Sequence, residues 1–221
     1  MITRPLLLVT AASLATQVAL AAWTLGTVGW GARVPIHWNI DGAPDGFAEA
    51  WIALAIAPGI TAVLGPLLAF LPRFDPRRQN LERSSTAWVW ICGSLLLLLA
   101  GIQLMIALAA SDREFDTVPF VGIGAGAVLV VIGSLLSRTR SNWFLGIRTP
   151  WTLSSERSWT LTHRIGGYLF IATGIAAAAS ALLLPANVFF WMLMAGLGGS
   201  VAFLVVYSYL VWRDDPDRSS T

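Results

Sequence analysis

Long apolar runs separated by short polar segments make up almost the whole chain. Stretches without a charged residue extend over 6–26, 51–71, 86–110, 118–136, 165–184 and 187–212. Each is near or above the roughly 20 residues a helix needs to cross about 30 Å of hydrocarbon. They predict six transmembrane helices. Strands are excluded within these runs, because backbone groups in lipid must pair inside a helix or a closed barrel, and the runs lack a barrel's polar and apolar alternation. The fold class is all-α: a polytopic membrane protein whose 221 residues form a single integral membrane domain. Within it, 5–71 reads as an N-terminal helix pair and 118–212 as a C-terminal region.

The first run also fits a signal peptide, with Arg4 ahead of it and Ala19-Leu20-Ala21 resembling a cleavage site. It is longer than the roughly 7 to 15 residues of a signal h-region, and Trp23 and Trp30 stand where interfacial anchors belong. A first membrane span is therefore the preferred reading.

Composition agrees, with 56% hydrophobic and 12% charged residues against roughly a quarter charged in a soluble domain. The basic residues are all Arg. Arg4 precedes the first span; Arg73, Arg77, Arg78 and Arg83 lie between the second and third; Arg138, Arg140, Arg148, Arg157 and Arg164 between the fourth and fifth; Arg213 and Arg218 follow the sixth. Only Arg33 and Arg113 fall in the alternate loops, so twelve of fourteen Arg share one side. The positive-inside rule makes that side cytoplasmic, with both termini inside. The net charge of +2 then reflects topology and contact with membrane lipids rather than a nucleic-acid partner.

Inside the spans there is no Asp, Glu, Lys, Arg or His, which argues against a proton relay or a carrier of charged solutes. Gln17 and Gln103 read as hydrogen-bonding a neighbouring helix. Gly122 and Gly126, with Gly196 and Ser200, have the small-xxx-small spacing of close helix packing. Pro58 and Pro66 are expected to kink or locally unwind the second span. Cys92 is alone within the third span and reads as packing.

Two polar islands interrupt this pattern. The first, VPIHWNIDGAPDGFAEA at 34–50, has Asp41-Gly42 and Asp45-Gly46 as turn signals and Pro35 and Pro44 to fix φ, which predicts a compact external loop. Asp41, Asp45 and Glu49 lack the alternating spacing of a calcium loop, and one His without Cys is a poor zinc site, so no metal and no cofactor are expected. His37, Trp38 and Asn39 offer an imidazole, an aromatic face and an amide for a peptide or headgroup; a self-bonded loop cap is the structural alternative.

The second island, SNWFLGIRTPWTLSSERSWTLTHRIGGY at 141–168, lies on the cytoplasmic side. Gly146 and Pro150 mark an ordered loop, after which Ser154 or Ser155 caps a helix with Glu156 in its first turn. On that helix Glu156, Trp159 and His163 form one stripe, and Arg148 on the preceding loop is placed to meet it. Such a pocket would suit a phosphate, a carboxylate or an acidic motif. A positive-inside loop with Trp anchors is the alternative.

Taken together, the P-x-H-W-N-x-x-G-x-P-D-G loop and the later N-W-F-x-G-I-R-T-P-W-T-L with W-x-x-x-H-R-x-G resemble the Sdp immunity-protein (SdpI) family, including its N-terminal HWN-loop domain of unknown function. The resemblance implies a bacterial plasma-membrane protein that protects against a secreted toxic peptide and recruits a cytoplasmic repressor-type protein when the toxin is bound. Carried over by position, the outer motif is His37, Trp38, Asn39, Gly42, Pro44, Asp45 and Gly46. The inner motif is Asn142, Phe144, Gly146, Arg148, Thr149, Pro150, Trp151, Trp159 and His163. The expected function is thus a non-enzymatic immunity or receptor protein. The rival is a small membrane enzyme or transporter acting on a lipid headgroup or amphipathic solute, with His163 as acid or base and Arg148 clamping phosphate. Each half of the chain carries its motif loop between its first and second span, the pattern of a 3+3 inverted repeat.

Overall fold

The computed structural model describes residues 2–111 and 115–218; Arg113 lies outside the described residues. Six helices are long and apolar enough to cross a membrane: α1 (Thr3–Val28), α2 (Ala50–Phe70, extended by a 3-10 turn over Leu71–Phe74), α4 (Ser85–Ala110), α5 (Thr117–Leu136), α7 (Glu156–Leu183) and α8 (Ala186–Arg213). Two short helices, α3 (Arg78–Arg83) and α6 (Pro150–Leu153), sit in the Arg-rich loops.

All six spans stand where the apolar runs place them, with one informative shift. The fifth begins at Glu156, not near 165. The helix capped by Ser155 and the fifth span are therefore one continuous rod, which reaches well beyond its apolar core at the Arg-rich end. α2 runs unbroken through Pro58 and Pro66, without the local unwinding those residues predict. The outer loop is more ordered than a compact turn: β1 (Arg33–Trp38) and β2 (Pro44–Glu49) form an antiparallel hairpin.

α1, α2 and α4 pack mutually, whereas α7 lies between α5 and α8, and the halves meet where α4 packs on α5. In the first half, Gln17 Nε2 donates to Thr61 Oγ1 on α2 and to Ser13 Oγ, both at 2.9 Å. Gln103 Nε2 donates to the Leu54 carbonyl at 3.3 Å. Both amides thus serve helix packing, as their isolation predicts. Cys92 packs with Ile2, Leu6, Ala69, Leu81 and Trp88 near the Arg-rich end.

In the second half the approach is closer, because lipid offers little hydrophobic drive between helices and small residues let backbones touch. A Cβ on Gly126 would lie 2.5 Å from the Gly174 carbonyl oxygen, and one on Gly174 would lie 2.5 Å from that of Gly126. Gly133 and Gly167 oppose each other in the same reciprocal way. Gly196 sits against Thr173. The small-residue spacing is therefore used on both flanks of α7.

Candidate functional site

The outer motif builds the hairpin and seats it. Asn39 Oδ1 accepts from the backbone N–H of Asp41 and of Ala43, both at 3.0 Å, and its own N–H donates to the Ala43 carbonyl at 2.9 Å. One side chain thereby organises the turn, an Asx arrangement. Gly42 has φ +81°, and a Cβ there would lie 2.6 Å from Val118 Cγ2, so glycine lets the tip rest on the start of α5. Gly46 faces His37 across the strands, where a Cβ would lie 2.8 Å from that of His37. His37 Nδ1 and Asp45 Oδ1 are 2.5 Å apart on the exposed side of the hairpin. Pro44 pairs with Trp38, whose ring packs on Val34, Ala50, Ala53, Leu54 and Ile106.

Beneath the turn lies an apolar cavity of 410 Å³. His37, Trp38, Asn39 and Gly42 form part of its wall, and Met105 of α4, Val121 and Ala125 of α5 and Phe189 of α8 complete it. The hairpin therefore roofs an apolar space between three helices. This cavity had no signal in the sequence, since its walls are ordinary span residues whose proximity only the bundle creates.

The inner motif does something different. Asn142 is fully buried: its Oδ1 accepts from the N–H of Phe144 and Leu145 at 2.9 and 2.7 Å, and its Nδ2 donates to the Arg140 and Leu145 carbonyls at 2.7 and 3.0 Å. Phe144 joins the Leu6–Trp88 cluster. Thr149 caps α6 in a capping box with Thr152, Pro150 occupies the first turn, and Thr149 Oγ1 reaches Ser208 Oγ on α8 at 3.0 Å. Trp151 meets Tyr209 edge-on at 5.2 Å.

Trp159 and His163 do face one way, but into the protein. Their rings stack at 3.9 Å, and both are about 1% exposed. His163 Nδ1–H donates to the Trp159 carbonyl at 2.7 Å, which leaves Nε2 to accept from the Ile147 N–H at 2.9 Å. That is the neutral tautomer with both nitrogens satisfied. Gly146, at φ +120°, lets the loop backbone lie directly against the imidazole. The ligand of His163 is thus its own chain.

The pocket expected from Arg148, Glu156 and His163 is not formed, and this corrects the sequence reading. Arg148 is exposed and donates to the Trp143 carbonyl at 2.5 Å. Glu156 is exposed as well and lines a separate polar cavity with Arg77, Asn80, Arg157, Asp215 and Asp217. The physical reason is that the loop folds over the stripe and fills the space a ligand would need.

Residues assigned to neither motif complete this inner knot. Asp75 accepts from the N–H of Arg77 at 2.7 Å and of Trp143 at 3.0 Å. The Arg77 guanidinium bonds Ser141 Oγ and the Leu153 carbonyl, and Asn80 Nδ2 donates to the Ser141 carbonyl at 2.9 Å. Ser155 caps α7 and donates to Asp215, whose carboxyl is thereby held below its usual pKa. Polar residues in an Arg-rich loop read as solvated, so only the fold identifies them.

These two sites coincide with two family matches. A model described as the SdpI/YfhL protein family matches residues 138–208, and one described as a domain of unknown function (DUF1648) matches residues 18–62. Immunity protein SdpI of Bacillus subtilis (strain 168) is 23% identical over 146 residues, which cover 66% of this chain and 68% of that protein. The family match and this relative together support an SdpI-family membrane protein. It is a multi-pass protein of a bacterial membrane. The SdpI/YfhL match ends at Ser208, the α8 residue whose hydroxyl meets Thr149 and whose carbonyl accepts from Ser158 Oγ at 2.8 Å. The DUF1648 match encloses the whole hairpin. No solved structure matches the chain.

Proposed function

We propose that this SdpI-family protein confers immunity to a membrane-active toxic peptide by taking an apolar part of it into the cavity under the hairpin. The observation that carries the reading is the cavity itself: its wall is almost wholly apolar, and its polar rim comes from His37 and Asn39 of the outer motif. A ligand with one apolar and one polar face matches that division. The named relative is an immunity protein, which supports the same reading. The Arg-rich side is taken as cytoplasmic and the hairpin as external, because twelve of fourteen Arg lie on that side.

Signalling to a cytoplasmic repressor-type protein belongs to the proposal as its second step. α8 supports that step, since Phe189 lines the outer cavity while Ser208 is bonded into the inner knot. The rival enzyme reading needs His163 free to exchange protons with a substrate. Its two nitrogens are occupied by backbone, so the binding reading is favoured.

The test is survival of a toxin-sensitive bacterium expressing the protein, challenged with candidate membrane-active peptides. Ala125→Phe fills the cavity from α5 and is expected to abolish protection while membrane insertion stays normal. Full protection by that variant at wild-type protein levels would sink the cavity as the binding site. Trp38→Ala is a weaker test, because that ring also packs on the helix ends and its loss affects folding.

A further inference from the structure

At the Arg-rich end, a cavity of 260 Å³ opens in the crevice between α5 and α7. Its origin lies in the reciprocal glycines. Gly133 and Gly167 bring the two backbones together, and beyond this contact the helices present polar side chains to a shared cleft. α5 contributes Ser134, with Ser137 at its C-terminal cap; α7 contributes Thr160, Arg164, Tyr168 and Ile171. The α7 residues recur at helical spacing, so they line one face of that rod.

Arg164 decides what this cleft suits. Several arginines on the same surface are engaged: Arg77 holds the loop, Arg78 pairs with Glu82, and Arg213 pairs with Asp214. Among the described residues Arg164 has neither an ion pair nor a hydrogen bond, and no Asp or Glu lines the cavity. Ser137 and Thr160, also exposed, add hydroxyl donors. One turn further along α7 the lining changes to Tyr168, an amphipathic ring 62% exposed, and then to Ile171. A guanidinium and hydroxyls at the mouth with an aromatic and an aliphatic surface below fit a phosphate carrying an apolar chain.

We infer that this α5–α7 cleft binds an anionic phospholipid, with Arg164 and the hydroxyls on the phosphate and the acyl chain running past Tyr168 and Ile171. Basic pockets between helices at the cytoplasmic face of a membrane recognise headgroups in this way. The site is separate from the hairpin cavity and lies at the opposite end of α5.

The experiment reconstitutes the full chain in phosphatidylcholine nanodiscs doped with phosphatidylglycerol and reads retained lipid by native mass spectrometry. The wild type is expected to retain phosphatidylglycerol over phosphatidylcholine. Arg164→Gln should weaken that retention by about tenfold, the scale of one charge-assisted contact. Arg83→Gln, an exposed Arg on the same face outside the cleft, should leave it unchanged. The double variant Ser137→Ala with Thr160→Ala removes hydroxyls without altering charge and should give a smaller loss, so the site stays testable if Arg164→Gln reconstitutes poorly. Equal retention by Arg164→Gln and wild type overturns the proposal, as does an equal loss from Arg83→Gln. Displacement of the lipid by inorganic phosphate would assign the cleft to a soluble anion and overturn its assignment to phospholipid.

Discussion

Replacing Gly146 with Ala tests whether the inner motif is architecture. The backbone there has φ +120°, a region essentially restricted to glycine, and the new Cβ would land on His163 Nε2 and lie 3.1 Å from Trp159. Three costs follow. Holding a non-glycine residue in that conformation costs about 1–3 kcal/mol. Displacing the imidazole strands the Ile147 N–H, whose partner sits at 2.9 Å, for about another 1–3 kcal/mol. Part of the Trp159–His163 stack, worth about 0.5–1.5 kcal/mol, is lost too. Relaxation shares these terms, so the expected destabilisation is about 3–5 kcal/mol, a large fraction of a typical folding free energy. Gly93→Ala is the matched control, since α4 has open space at that position and Ala favours a helix by up to about 1 kcal/mol. Thermal unfolding of both variants in mild detergent, followed by Trp fluorescence, gives the comparison. If Gly146→Ala unfolds with wild type and Gly93→Ala, the loop is not the clamp on His163 described above.

Three further outcomes are expected. A reporter fused after Phe47 should be external and one fused after Ser154 cytoplasmic; the reverse pattern would invert the two-faced arrangement while leaving both sites in place. Arg148→Lys should insert normally and protect as wild type does, because the structure gives Arg148 an exposed backbone contact and no carboxylate, so a marked loss of protection would restore a recognition role for its guanidinium. Because the Ser155 hydroxyl holds the Asp215 carboxyl below its usual value, that contact contributes stability above the ordinary carboxylate range near about 4 and loses it as pH falls through the lowered value. Acid titration of the unfolding transition should show this loss in wild type and a reduced one in Asp215→Asn, and identical titrations would remove Asp215 as the anchor.

The six spans were legible in the sequence because a helix in lipid needs only length and the absence of charge, both properties of a contiguous segment. The glycine spacing on α5 was legible for the same reason, being a local pattern with a packing consequence. The outer motif could be read as an ordered turn from its Asp-Gly and Pro signals. Its antiparallel register, and the apolar cavity it roofs, required the ends of α4, α5 and α8 to meet, and no local pattern encodes that meeting. The inner motif shows the limit most clearly. Glu156, Trp159 and His163 share a helical stripe in the sequence, and Arg148 precedes it by a short loop, so a charged pocket was a fair inference from spacing. Whether that space stays open depends on where the loop backbone lies. Glycine at 146 lets the chain close onto the imidazole, Asp75 and Arg77 tie the loop down from another connection, and the residues expected to meet a ligand meet the protein instead. Spacing along one helix determines which side chains share a face, but only the tertiary fold decides whether that face looks out or in.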